Sequence, residues 1–82
     1  MANVYVVRDR KAGVFNRPFY ERDHTLAIRG FEDACRKDDS PFRKWPSDFE
    51  LLHLGSFNES TGKFDQLEHP AVMAEPNQFV GT

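Results

Sequence analysis

Pro46-Ser47-Asp48-Phe49-Glu50-Leu51-Leu52-His53-Leu54-Gly55-Ser56-Phe57-Asn58-Glu59-Ser60-Thr61-Gly62-Lys63-Phe64 is the stretch whose reading decides the fold. The apolar run from Phe49 to Phe57 predicts a strand. Asn58 to Gly62 is polar and ends on a glycine free to take a left-handed conformation, which predicts a hairpin turn. Lys63 to Leu67 then pairs back.

Working outward, Asn3 to Arg8 is short, β-branched and aromatic, and predicts a second buried strand. Asp9 to Gly13 reads as a turn. Phe15 to Tyr20 is an edge strand or a loop, because Pro18 lacks a ladder donor. Asp23 is placed to cap a helix. Ala27, Phe31, Ala34 and Cys35 keep the spacing of one helical face, and the helix is expected to end near Lys37, with Arg36 and Lys37 in its last turn. Gly30 inside it costs about 1 kcal/mol relative to Ala, which close packing on the sheet would explain. Ser40 to Pro46 is expected to be a connecting loop. Ala71 to Glu75 is expected to form a short helical turn, and Gln78-Phe79-Val80 a last strand or docked tail. Together these elements predict a single α+β domain over residues 1–82, a small mainly antiparallel sheet of three to four strands packed on one main helix.

The strands are apolar on both faces. Val4 and Val6 point one way, Tyr5 and Val7 the other; strict alternation likewise puts Leu52 and Leu54 opposite Leu51 and Phe57. One helix covers one face. The second calls for the C-terminal tail, a loop or another subunit, and self-association into a homo-oligomer is expected.

With 82 residues, 11 basic and 13 acidic side chains and a net charge of −2, the chain lacks the overall basicity of a strong nucleic-acid binder. A single cysteine, Cys35, allows neither an internal disulfide nor an ordinary structural zinc site. No apolar run approaches the roughly 20 residues of a membrane span, and the charge that follows Val7 does not suit a signal peptide. The cytoplasm is the expected location, with no membrane partner.

Few residues carry chemistry. His24, His53 and His69 share no metal-ligand spacing and read as surface or strand-end histidines. Cys35, beside Phe31 on the apolar helix face, reads as a buried inert thiol. The carboxylates sit at turns and helix ends, where capping and solvation account for them. The serines lie in no nucleophile elbow, and no glycine-rich loop cradles a phosphate. No enzyme activity, metal or cofactor is expected. The suggestive feature is the interleaving of cations and rings. Arg8, Arg10, Lys11 and Arg17 flank Phe15, Phe19 and Tyr20, and Arg43-Lys44-Trp45 forms a second group. Single-stranded nucleic acid is held by cations along its phosphates and by rings stacked on its bases. In that reading Arg8, Arg10, Lys11, Arg17, Arg43 and Lys44 contact phosphates, while Phe15, Tyr20 and Trp45 stack. Asp9, Glu21 and Asp23 among them weaken the field.

The order of short motifs resembles a known family. Val4-Tyr5-Val6-Val7-Arg8-Asp9-Arg10-Lys11-Ala12-Gly13 resembles the opening of the small nonstructural proteins of gokushovirus-type microviruses, phages with single-stranded DNA genomes. Pro18-Phe19, Ala27-Ile28-Arg29-Gly30-Phe31, Pro46-Ser47-Asp48-Phe49-Glu50-Leu51, Leu54-Gly55-Ser56-Phe57 and Thr61-Gly62 continue the likeness, from about Asn3 to Val80. Two departures are Asn58, where Asp is common, and Arg8, where an aromatic is common. The resemblance implies an accessory phage protein in the bacterial host cytoplasm, acting in synthesis or packaging of single-stranded viral DNA; it supplies no catalytic residue. Two expectations follow: low-specificity binding of single-stranded DNA, or a non-catalytic interaction module for the phage replication protein, a procapsid component or itself.

Overall fold

Strands β1 (Ala2–Asp9) and β4 (Phe49–Asn58) run antiparallel through the middle of a five-stranded sheet. The computed structural model describes residues 2–79. Two short strands, β2 (Val14–Phe15) and β3 (Phe19–Glu21), share the outer edge of β1, and β5 (Lys63–Ala74) pairs with the other side of β4. Every pairing is antiparallel, and one main helix, α1 (His24–Cys35), packs against the sheet. This is the small α+β fold expected, with the proline-interrupted edge segment split into two strands.

The helix forms where its capping signal lies. The Asp23 carboxylate accepts from the Leu26 amide at 2.9 Å, satisfying one of the free first-turn donors. Ala27, Phe31 and Cys35 are buried against Tyr5, Val7, Phe49, Leu51 and Ala74, with Ile28 packed beside them. Burying a side chain such as Leu51 stabilises by about 1.5–3 kcal/mol. The helix ends at Cys35 with Arg36 as its cap, slightly before Lys37, so Arg36 and Lys37 lie past the last turn. Gly30 is exposed, and a methyl group there would meet nothing; close packing on the sheet does not explain it. Gly30→Ala is therefore expected to stabilise the protein by up to about 1 kcal/mol, read as a raised midpoint in urea.

Two local readings are corrected, and for the tail the docked alternative holds. The segment 40–46 is largely helical: Ser40 caps α2 (Pro41–Lys44), its hydroxyl accepting from the Phe42 amide, and a 3₁₀ turn (Pro46–Asp48) follows. Ser at the cap and Pro at the first helical position favour this start. Ala71 to Ala74 is strand, since β5 continues to pair with Leu51–His53 of β4. Pro70 is tolerated because residues 67–70 are looped out opposite Leu54, where no ladder donor is required. The tail after Glu75 is a 3₁₀ turn (Pro76–Gln78) whose following Phe79 packs on the helix-side core near Phe31; the expected strand residue Val80 lies outside the described residues.

The bulge at Leu54 matters most. Tyr5 pairs with His53 but Val4 pairs with Gly55, so β4 carries one extra residue there. Every side chain beyond it changes face. Phe57 consequently joins Val4, Val6 and Leu52, not Leu51, which overturns the alternation expected across the bulge.

Candidate nucleic-acid interface

The sheet face opposite α1 carries no helix among the described residues. Directly paired residues share a face, so Val4, Val6, Arg8, Phe15, Tyr20, Glu50, Leu52, Phe57, Phe64 and Val72 all belong to it. Val4, Val6 and Leu52 are buried at its centre. Around them Phe15, Tyr20, Phe64 and Val72 are exposed at 56%, 61%, 46% and 55%. The rings of Tyr20 and Phe57 stack, with centroids 6.0 Å apart and planes 16° from parallel, and Phe64 is the cross-strand partner of Phe57. One aromatic from each of β3, β4 and β5 thus forms a row at one end of the face. At the other end the Arg8 guanidinium lies 5.7 Å from the Phe15 ring centre. Arg8 also donates to the buried Glu50 carboxylate at 3.3 Å, so part of its charge is neutralised locally. The face is an apolar and aromatic surface with little net charge.

The other nominated residues are distributed differently. Arg10 is a brace: its guanidinium donates to the Ser47 carbonyl at 2.7 Å and to Glu75 at 2.9 Å, and lies 3.7 Å from Glu50. Arg43 donates to the Arg36 carbonyl at 3.2 Å and to Asp38 at 3.1 Å, tying the end of α1 to α2. Lys11 and Trp45 line a groove of about 400 Å³ together with Asp9, Pro41, Asp48 and Phe49. Trp45 is 57% exposed, and the Lys44 ammonium lies 5.9 Å from its ring centre. Arg17 is exposed in the edge segment between β2 and β3. The nine residues therefore form two separate groups, one on the open face and one at the Trp45 groove, with Arg10 and Arg43 engaged in structural contacts. Phe57, Phe64 and Val72 are not among the residues nominated from the sequence. Alternation within β5 could have suggested Phe64; strict alternation groups Phe57 with Leu51, because a one-residue bulge leaves no mark in a period-2 pattern.

A second cluster lies on the helix side. Tyr5 Oη and His24 Nδ1 are 2.6 Å apart, and the His53 ring centre lies 4.7 Å from that of His24 and 5.1 Å from that of Tyr5. The fold thus joins two histidines that are 29 positions apart in sequence (53 less 24). Burial, and next the electrostatic influence of neighbouring His24, hold His53 below the usual histidine range; its backbone hydrogen bond with Gly55 opposes this. Burial, then Asp23 and Glu21, push Tyr5 upward. The sign for stability follows from His53: the unfolded chain takes up a proton near pH 6.5 and the folded chain only at lower pH. Its contribution is present above about pH 6.5 and is lost as pH falls through the folded value. His53→Gln is expected to flatten the acid limb of a urea-midpoint profile between about pH 7 and 5; an unchanged limb would show that other groups set it.

Cys35 is fully buried, and its thiol is pushed up to about 11, chiefly by burial and then by Glu32, with Arg36 opposing. It is the inert thiol expected. Among the described residues, no group of three or more His, Cys, Asp or Glu converges as a metal site, and no helix is long and apolar enough to cross a membrane.

No curated protein and no solved structure is similar to the chain at a significant level. The family model described as Phage ORF5 protein matches residues 2–79, which takes in both central strands, the helix and the whole aromatic face. With nearly its full length matched, the chain belongs to the Phage ORF5 protein family.

Proposed function

We propose that this phage protein is a non-catalytic binder of single-stranded DNA with low sequence preference, acting in synthesis or packaging of a gokushovirus-type genome in the host cytoplasm. The observation that carries the reading is the open sheet face with exposed Phe15, Tyr20 and Phe64 on three different strands. Exposed rings on an antiparallel sheet stack unpaired bases without regard to sequence, at about 1–3 kcal/mol per base. Arg8 beside Phe15, with Arg17 on the same edge of the sheet, supplies cations for the backbone. Arg10 and Arg43 take no part, because both are committed to carboxylates and carbonyls of the fold. Lys11, Lys44 and Trp45 make a second, separate contact that a longer strand could reach.

A second reading has its own observation. On the face Arg8 pairs with Glu50, which Arg10 also approaches from the sheet end, so another protein surface, including a second copy, meets little net charge there. Phage replication or capsid proteins are candidates of the same kind.

The test is fluorescence anisotropy of a labelled single-stranded oligonucleotide titrated with protein at two salt concentrations, with light scattering on the same samples. The DNA reading expects saturable binding whose logarithm falls with the logarithm of salt at a slope of roughly −1 to −3. That range reflects few phosphate contacts, at about 0.7 per contact on single strands. Absence of binding, together with a dimeric mass, would replace it with the protein-interface reading.

A further inference from the structure

The Tyr5, His24 and His53 cluster is unused by any reading of the open face, since it lies on the side of the sheet that α1 covers. Its three side chains come from three elements: Tyr5 from β1, His24 from the first position of α1, and His53 from β4. They are placed independently, by the strand register Tyr5↔His53 and by the Asp23 cap that starts the helix at His24. Two imidazole rings and one phenol therefore gather in one cluster without being neighbours in sequence. His53 Nε2 is buried and has no hydrogen-bond partner among the described residues. A buried polar atom left unpaired costs about 1–3 kcal/mol, and such atoms call for an explanation. A bound cation is one that the neighbouring donors fit.

We propose that Tyr5, His24 and His53 form a binding site for a divalent transition-metal ion of the imidazole-preferring class, Cu²⁺ or Zn²⁺. Imidazole is a preferred ligand of both ions, and among first-row divalent ions Cu²⁺ is bound most strongly. At about 2.0–2.1 Å per metal–nitrogen bond, two imidazoles on one ion have ring centres close to the 4.7 Å separation seen here. The Tyr5 hydroxyl, hydrogen-bonded to His24 Nδ1 at 2.6 Å, becomes the third donor when that bond opens to admit the ion. On coordination its proton leaves to solvent, so uptake of one ion releases one proton at neutral pH. Glu21 and Asp23 are close enough to act on Tyr5 electrostatically, and the same negative potential attracts a cation. The ion has a route in, because His24 is exposed. The spacing of the histidines in sequence conceals the cluster, which only the fold assembles.

The experiment is a titration of the full chain with Cu²⁺ in a non-coordinating buffer at neutral pH, read by electron paramagnetic resonance and visible absorption. The expected result is one equivalent bound with hyperfine coupling to two nitrogens and a phenolate-to-copper absorption band. His53→Gln and, separately, His24→Asn should each weaken binding by at least about tenfold, the scale that even supporting residues around a metal command. Tyr5→Phe should remove the absorption band while coupling to nitrogen persists. His69→Gln, remote in sequence and highly exposed, should change nothing. Because His24 is exposed, His24→Asn is expected to remain folded, which circular dichroism checks, and it keeps the test decisive if His53→Gln does not fold. Absence of stoichiometric binding, or binding that survives His24→Asn at full affinity, would overturn the proposal.

Discussion

Replacing Tyr20 and Phe64 together by serine is expected to weaken oligonucleotide binding by about a hundredfold or more, while the protein stays folded. Each ring stacked on a base contributes about 1–3 kcal/mol, and a factor of ten in affinity corresponds to about 1.4 kcal/mol. Both rings are largely exposed and stand on different strands, so their contributions should be close to additive. Stability should move little, because exposed substitutions away from special features usually cost no more than about 0.5 kcal/mol. Tyr20 loses its stack on Phe57, which adds a modest amount. Anisotropy with the same oligonucleotide, beside a urea melt of the variant, separates the two effects. Unchanged DNA affinity in the folded variant would remove the open face from the DNA reading. A halved solution mass would assign the face to a second copy.

Gly55→Val is expected to prevent folding or to cost about 3 kcal/mol or more. A Cβ atom at Gly55 would lie 2.9 Å from Gln66 Cα and closer still to the Asp65 carbonyl oxygen. Both obstacles are backbone of β5, which cannot yield as the end of a flexible side chain would. Overpacking costs about 1–3 kcal/mol where side chains can adjust, and here the ladder between β4 and β5 must shift instead. Domains have roughly 0.05–0.15 kcal/mol of stability per residue, so a loss on this scale takes a large share of the total in a chain of 82 residues. The contrast is Gly62, whose φ of +76° asks for glycine on conformational grounds although nothing crowds it. Urea denaturation of Gly55→Val and Gly62→Ala checks both. A Gly55→Val midpoint equal to that of the parent would show that β5 can move aside.

The strands, the helix and the hairpin were legible because each rests on local signals. Period-2 and period-3.6 patterning, the Asp23 cap and the left-handed glycines act within a few residues of where they are written. Gly13 and Gly62 do take positive φ, at +72° and +76°. The readings that failed depended on partners elsewhere. Residues 71–74 look helical in isolation, but the unpaired edge of β4 draws them into the sheet. Strict alternation groups Phe57 with Leu51 because the Leu54 bulge is created by pairing with β1 and not by the local pattern. The candidate interface was legible in part for the same reason. Phe15, Tyr20 and Arg8 were named from composition, whereas Phe64 and Val72 join them only through strand register.

The sequence by itself determined an α+β domain with a capped helix, two apolar strands and a glycine-ended hairpin, because those follow from short-range sterics and apolar spacing. It also carried the motif order that marks a phage protein family. Only the tertiary structure decided which aromatics share the open face, that Arg10 and Arg43 are braces, and that Tyr5, His24 and His53 meet. Those facts depend on register and on ion pairing between distant segments, and a one-residue bulge is enough to send half a strand to the opposite side of the sheet.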